Sequence, residues 1–123
     1  MKGSRFEREL VHMFWEKGFA AIRTPASGSI RHPVPDVIAG NGQKYLAIEV
    51  KARSKLPVYI SEKDINELIE FSRIFGAEPF IGVRISKMGW KFLKIEHLKR
   101  TKMGYKIDEE VYDLGLKFED IIK

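Results

Sequence analysis

Cysteine is absent from this sequence of 123 residues. Its absence excludes disulfides, cysteine-ligated zinc sites, iron–sulfur clusters and catalysis by a thiol. No run of about 18 consecutive apolar residues occurs, and the N-terminal residues contain no apolar core of a signal peptide. We therefore expect a soluble cytoplasmic protein with no segment in the membrane.

Proline is also scarce, with five residues, and three of them lie within residues 24–35. That stretch is predicted to be a loop, since proline cannot join the middle of a sheet. The remaining composition, 44% hydrophobic and 32% charged, is that of an ordinary globular protein. The length is typical of one domain, and neither repeats nor linkers divide the chain. Residues 1–123 are therefore predicted to form a single domain.

Negative charge is in deficit, with 17 Asp and Glu against 22 Lys and Arg. Residues 84–106 contain eight basic residues and a single acidic one, Glu96, whereas six acidic residues lie within 107–123. Aromatic residues interrupt the basic stretch, a composition that suits contact with a phosphate backbone. The alternative is a solvated strand face without a nucleic-acid partner.

The apolar periodicity predicts an α/β fold with a mixed sheet flanked by helices. Helices are expected over residues 4–17 and 61–75, with short helices near residues 108–112 and 116–122. Ser61 is predicted to cap the second long helix, with Asp64 completing a variant of the capping box. Strands are expected over residues 19–23, 36–39, 44–51, 58–60, 80–85 and 90–95.

Two carboxylates are predicted to meet on the hairpin formed by the second and third strands. A two-residue turn at Asn41-Gly42 would set Asp36 opposite Ala47 and diagonal to Glu49. Alternation along the third strand places Glu49 and Lys51 on one face. Diagonal neighbours lie ~7–8 Å apart at Cα, so both carboxylates can converge on one cation. Oxygen ligands of this kind suit Mg²⁺.

The first helix carries a further acid, Glu7, within its apolar arc. A carboxylate that points toward the core is costly unless it is paired or bound to a metal. Glu7 is therefore a candidate third acidic group at the site. The alternatives are an acid favoured by the helix dipole or a buried pair with an arginine.

The acidic residues also form a recognisable motif. Pro35-Asp36 followed by Glu49-Val50-Lys51 matches the PD…(D/E)xK pattern of restriction-endonuclease-like nucleases. Three further stretches, residues 2–9, 18–29 and 68–73, occur in the matching order. Together they resemble the archaeal Holliday-junction resolvase family over nearly the whole chain. The resemblance implies a restriction-endonuclease-like fold and a metal-dependent dimeric endonuclease that cuts four-way DNA junctions.

The resemblance also implies roles for individual residues. Asp36 and Glu49 would be the main ligands of Mg²⁺, for which Mn²⁺ could substitute, and Glu7 a third acidic ligand. Lys51 would be the catalytic lysine. Ser27, on the loop, would be the active-site serine of the family, although a serine in such a loop can also be a turn former. For Lys51 the alternative is a surface salt bridge with Glu49.

Contacts with DNA are expected from basic residues near these positions. Arg8 and Arg23 match phosphate-contacting residues of the family. The full set of predicted DNA-binding residues is Lys2, Arg5, Arg8, Arg23, Arg31, Arg53 and Lys55. Such a protein would associate with the nucleoid through DNA.

A homodimer is predicted from the second long helix. Its apolar side chains cover an arc of roughly 220° at 100° per residue, whereas a helix packed on one sheet needs a stripe little more than ~100° wide. The excess is centred on Phe71 and Phe75, the predicted dimer interface. The alternative is that the C-terminal segment covers this surface through Leu116, Phe118 and Ile121.

Two other functions remain open from the sequence. One is a different DNA endonuclease of the same fold, which would cut linear or branched DNA. The other is a non-catalytic DNA-binding module, for which the acids would be structural and no metal would be needed. A membrane-surface protein is disfavoured, because the basic residues do not follow an amphipathic helix. The sequence does not identify an accessory protein partner.

Overall fold

The computed structural model describes residues 3–25 and 31–123, and within them four α-helices, a short 3₁₀-helix and eight strands follow one another. The α-helices are α1 (Gly3–Glu16), α2 (Glu62–Phe75), α3 (Glu109–Leu114) and α4 (Phe118–Ile121). The first four strands are β1 (Ala20–Arg23), β2 (Val37–Gly40), β3 (Tyr45–Arg53) and β4 (Val58–Ser61). The last four strands are β5 (Glu78–Ile85), β6 (Gly89–Leu93), β7 (Lys99–Arg100) and β8 (Gly104–Ile107). The 3₁₀-helix covers Ile95–His97.

Five strands form the main sheet, in the order β1-β2-β3-β5-β6. β3 and β5 are parallel, and the other three neighbouring pairs are antiparallel. The parallel pair requires a crossover, which α2 provides. The predicted mixed α/β sheet is therefore confirmed.

Not every strand joins that sheet, however. β4 pairs with β8, and β8 with β7, in a separate three-stranded sheet. β7 and β8 were not expected, because residues 99–107 are mostly polar and offer little apolar alternation. β8 is anchored by Ile107, which is fully buried opposite Val58. The predicted strand over residues 90–95 ends at Leu93, where the chain turns toward the 3₁₀-helix.

The main sheet separates two hydrophobic cores. On one side α1 and α4 cover the sheet, with Leu10 and Phe14 of α1 packed near Ile48 of β3. On the other side α2, α3 and the small sheet cover it, and Leu68 of α2 lies in the same cluster as Ile81 of β5. β3 is thus covered on both faces, which holds its functional residues in a rigid layer.

The predicted turn of the β2–β3 hairpin is displaced by one residue. The backbone N–H of Asn41 donates to the carbonyl of Lys44, so Gly42 and Gln43 are the central residues, with a φ of 92° at Gly42. Oδ1 of Asn41 accepts the N–H groups of Gln43 and Lys44 and stabilises this turn. The register is Gly40 to Tyr45 and Ile38 to Ala47, two residues away from the predicted pairing. A shift of two keeps every side chain on its expected face.

Both long helices begin and end close to the predicted residues. α1 ends at Glu16, shortly before Gly18, which has a φ of 84°. Ser61 caps α2, its hydroxyl oxygen accepting the N–H of Asp64 at 3.0 Å, and Gly76 follows the helix with a φ of 87°. In the described ranges no helix is both long enough and apolar enough to cross a membrane.

Candidate active site

The acidic residues of the PD…ExK motif lie at one end of the main sheet. Asp36 occupies a bend immediately before β2, and Glu49 lies within β3. The pairing of Val37 with Ile48 brings Asp36 level with Glu49, so the two are directly opposite and not diagonal as predicted. Oδ2 of Asp36 accepts the backbone N–H of Val50 at 2.8 Å. This bond ties the carboxylate that precedes β2 to the strand that carries Glu49.

The surroundings of these two carboxylates disfavour negative charge. Burial raises the pKa of Glu49 to about 8, and the neighbouring charge of Asp36 contributes further. The pKa of Asp36 is also raised, chiefly by burial, although its bond from Val50 opposes the rise and Glu7 adds to it. Two half-buried carboxylates that repel each other in this way are suited to share a cation.

We expect Glu49→Gln to stabilise the metal-free protein at neutral and alkaline pH. The pKa of Glu49 rises from 4.5 to about 8 on folding. Its contribution to the free energy of unfolding is therefore fully present below about pH 4.5 and is lost as the pH rises to about 8. Glutamine stays neutral and avoids this loss. The unfolding free energy above pH 8 should therefore increase by at least ~1 kcal/mol, or several degrees in Tm.

Thermal melts in EDTA, at about pH 5 and about pH 9, measure this difference. The gain from Glu49→Gln should be small at the lower pH and full at the higher one. An equal gain at both pH values would show that titration of Glu49 is not its cause.

Glu7 is partly buried, with 17% of its side chain exposed, and its Oε1 lies 3.3 Å from Nε of Arg23. The arginine pair proposed from the sequence as one alternative is thus present. Glu7, Arg23 and Asp36 also line one cavity of about 290 Å³. The carboxylate of α1 therefore faces the same space as the first motif acid, but with a cation already beside it.

The donor set at the motif consists of carboxylate oxygens, which suit Mg²⁺ or Mn²⁺ better than a soft metal. In residues 3–25 and 31–123 no three His, Asp or Glu side chains are grouped closely enough to hold a metal together. Asp36 and Glu49 are accordingly the pair best placed to bind a cation. Glu7 as a third ligand stays a prediction, and Ser27 lies outside the described residues.

Lys51 does not form the salt bridge with Glu49 that the sequence offered as an alternative. Its Nζ lies 3.8 Å from Oδ2 of Asp64, at the start of α2, and 18% of its side chain is exposed. Sequence reasoning identified Asp64 only as a capping residue. No sequence signal links residues 51 and 64, because their contact arises from the packing of α2 against β3. The backbone N–H of Asp64 donates to the hydroxyl oxygen of Ser61, as the capping prediction requires, while the carboxylate of Asp64 faces Lys51.

The predicted DNA-binding residues are mostly exposed where the structure describes them. Arg5 and Arg8 lie on α1, and Arg31 lies shortly before Asp36. Arg53 ends β3, and Lys55 follows it beside a cavity of about 640 Å³. Arg23 is half-buried against Glu7, and Lys2 lies outside the described residues. Of these residues, Arg23 lines the same cavity as Asp36.

The basic stretch over residues 84–106 is less available for DNA than its charge suggests. Nε of Arg84 lies 3.5 Å from Glu9. Nζ of Lys99 lies 2.6 Å from Asp108, and a guanidinium nitrogen of Arg100 lies 2.8 Å from Glu62. Three of the eight basic side chains of this stretch are therefore paired with acids of the chain, whereas Arg5 and Arg8 are exposed.

The apolar excess of α2 remains exposed. The rings of Phe71 and Phe75 are stacked with centroids 5.1 Å apart, and Phe75 is 51% and Ile74 70% exposed. Phe118 and Ile121 pack instead in the core beneath α1. The alternative that the C-terminal segment covers this surface is therefore wrong.

Comparison with known proteins agrees with this geometry. The family model described as archaeal Holliday junction resolvase (hjc) matches residues 1–123. The crossover junction endodeoxyribonuclease Hjc of Archaeoglobus fulgidus is 47% identical over 120 residues, covering 98% of this chain and 88% of that protein. The protein of the same name from Methanocaldococcus jannaschii is 36% identical over 121 residues, covering 98% and 86%.

The fold agrees as well. The solved structure of A. fulgidus Hjc, described as a Holliday junction resolvase from an archaeal hyperthermophile, superposes with a TM-score of 0.93. The two are 45% identical, and the match covers 98% of this chain and 100% of that chain. With a family model that spans the chain and relatives that match it almost end to end, the protein belongs to the archaeal Holliday junction resolvase family.

Proposed function

We propose that the protein is a structure-specific endonuclease that resolves four-way DNA junctions in recombination and repair. It would hydrolyse phosphodiester bonds in a metal-dependent reaction and make paired nicks as a homodimer. The observation that carries this proposal is the placement of Asp36 opposite Glu49, with Lys51 on the same strand, in a chain of the resolvase family.

Asp36 and Glu49 would hold the cation, Mg²⁺ or in its place Mn²⁺. When bound, the cation would polarise the phosphate and lower the pKa of the attacking water. The raised pKa values of both carboxylates support this assignment, because burial and, to a lesser extent, neighbouring negative charge raise those values, and a bound cation would oppose both effects.

Lys51 would act on the same phosphate. It is not only a surface charge, since 18% of its side chain is exposed and its charge opposes the rise in the pKa values of Asp36 and Glu49. A lysine there can orient the attacking water or stabilise negative charge on the phosphate oxygens. Arg23, beside Glu7, would hold the neighbouring phosphate in register, and Ser27 would add a polar group from the loop.

The homodimer is supported by the exposed apolar surface of α2. Two shallow cavities flank the stacked rings of Phe71 and Phe75, one of about 290 Å³ beside Tyr45 and one of about 360 Å³ beside Val34. A two-fold interface there would bury both rings and fill the cavities. Resolution requires two opposing nicks, and one PD…ExK site makes one nick.

The experiment that tests the proposal is cleavage of a labelled four-way junction beside a linear duplex of the same sequence, in Mg²⁺ and in EDTA. Paired cuts in the junction alone, and only with Mg²⁺, are expected. Equal cleavage of the duplex would favour the alternative of another DNA endonuclease. Binding without cleavage under any condition would favour the non-catalytic module.

We expect the affinity for the junction to fall steeply with salt. Each neutralised phosphate adds about −0.9 to the slope of log affinity against log salt on duplex arms. Arg8→Gln should make this slope shallower by about 0.9 for each subunit, which corresponds to the loss of one phosphate contact. Arg100→Gln is the matched control, because Arg100 already pairs with Glu62. Titration by fluorescence anisotropy at several salt concentrations measures both, and a wild-type slope near zero would contradict the phosphate contacts.

A further inference from the structure

Asp64 faces the candidate site although no motif includes it. It is the third residue of α2, and its Oδ2 lies 3.8 Å from Nζ of Lys51. The acid and the lysine belong to different elements, separated along the chain by β4 and the start of α2. The helix thus presents an acidic side chain to the lysine from across the site.

Capping does not account for this orientation. Ser61 receives the backbone N–H of Asp64 at 3.0 Å, so the cap uses the main chain of Asp64. The side chain, which in a full capping box would bond back to the backbone of Ser61, points to Lys51 instead. Glu62 already supplies an acid for the first turn of the helix.

A lysine needs such a partner at this place. Four rotatable bonds separate its ammonium group from the backbone, so the group is mobile unless it is held. Lys51 is mostly buried, its ammonium group lies beside Asp64, and its charge acts on both Asp36 and Glu49. The charge of Asp64 also contributes to the raised pKa values of Asp36 and Glu49, which marks its closeness to both.

We propose that Asp64 is a positioning residue that holds the ammonium group of Lys51 beside Asp36 and Glu49. The inference rests on the proposed function, in which Lys51 acts on the scissile phosphate. In this role Asp64 would act only through Lys51, without contacting the phosphate or the cation. α2 therefore carries both the surface proposed for dimerisation and the residue that orients the catalytic lysine.

The test is the single-turnover cleavage rate of a four-way junction at saturating Mg²⁺. Asp64→Asn should lower the rate on the order of 10- to 100-fold without changing junction affinity. Asp64→Glu, which keeps the carboxylate, should restore most of the rate. Glu67→Gln is the matched control on the same helix, since Glu67 pairs with Lys63 whereas Asp64 pairs with Lys51, and it should cleave like the wild type.

A double-mutant cycle separates positioning from a direct role. In a Lys51→Ala background, Asp64→Asn should have no further effect on the rate. A crystal structure of the Asp64→Asn protein should show Nζ of Lys51 displaced, a readout that does not depend on activity. Asp64→Ser should give the same loss, should the asparagine variant have a lowered Tm.

Three results would overturn the inference. The first is an unchanged rate in both Asp64→Asn and Asp64→Ser, and the second is an equal loss with and without Lys51. The third is an unmoved lysine in the variant structure. An inactive wild-type protein would instead overturn the proposed function, and this inference with it, so the two failures are distinguishable.

Discussion

Replacing Asp36 by Asn or Glu49 by Gln is expected to abolish junction cleavage and to leave junction binding nearly intact. Both residues would hold the cation, whereas the exposed arginines would supply most of the affinity for DNA. Since a bound metal contributes several kcal/mol to stabilising the transition state, the single-turnover rate should fall at least on the order of 10³-fold. Cleavage and gel-shift assays on the same labelled junction measure the two effects.

Glu67→Gln serves again as the control, because it removes an acid that pairs with Lys63 and belongs to neither part of the PD…ExK motif. Circular dichroism should show the fold of each variant unchanged. Equal losses of cleavage and binding, in folded protein, would contradict the assignment of Asp36 and Glu49 as metal ligands. Normal cleavage in either variant would contradict it as well.

The same substitutions link activity to stability. The raised pKa of Glu49 means that the metal-free fold is destabilised by the charge that the reaction requires. A variant that is catalytically inactive is therefore expected to be the more stable one at neutral pH. Such a trade-off between activity and stability is common where a site keeps like charges close together for function.

The fold was predictable where local patterns dominate. Apolar periodicity identified α1 and α2, and the predicted cap at Ser61 gave the start of α2. The β2–β3 register was missed by two residues, because an Asn-Gly pair predicts a turn centred on itself. In the structure Oδ1 of Asn41 instead accepts N–H groups ahead of it and moves the turn forward.

The small sheet was missed for a different reason. β7 and β8 are short and mostly polar, and they exist because each finds a partner strand distant in sequence or across a tight turn. Pairing of this kind leaves no periodic signal in either segment alone. The ion pairs of the basic stretch could not be predicted either, since the acids that pair with Arg84 and Arg100 lie on α1 and α2.

The candidate site, too, was predictable only where its residues lie on neighbouring parts of the chain. Asp36, Glu49 and Lys51 could be proposed from the sequence, because two of them share a strand and the third borders the adjoining one. The partners of the other charges could not. The contacts of Glu7 with Arg23 and of Lys51 with Asp64 each join separate elements, so they depend on how the helices pack on the sheet.

A homodimer is expected at micromolar concentration, and Phe71→Asp should dissociate it. The stacked rings of Phe71 and Phe75 leave an apolar face on α2 that residues of the C-terminal segment do not cover. At a two-fold interface the aspartate would appear twice, and burying two unpaired carboxylates costs several kcal/mol. The monomer should still bind junctions, but with one site at a time it should release singly nicked products in place of paired cuts.

Light scattering gives the mass, and a supercoiled cruciform plasmid distinguishes the products, since single nicks relax it and paired cuts linearise it. Phe75→Asp is a second variant, at a more exposed position where the monomer fold is less at risk. Met103→Asp is the matched control, because Met103 is 85% exposed and lines a cavity with Ser61, at the opposite end of α2 from Phe75, so it should leave the dimer intact. A wild-type monomer that still linearises the plasmid in one binding event would contradict the dimer, since paired cuts would then come from one PD…ExK site.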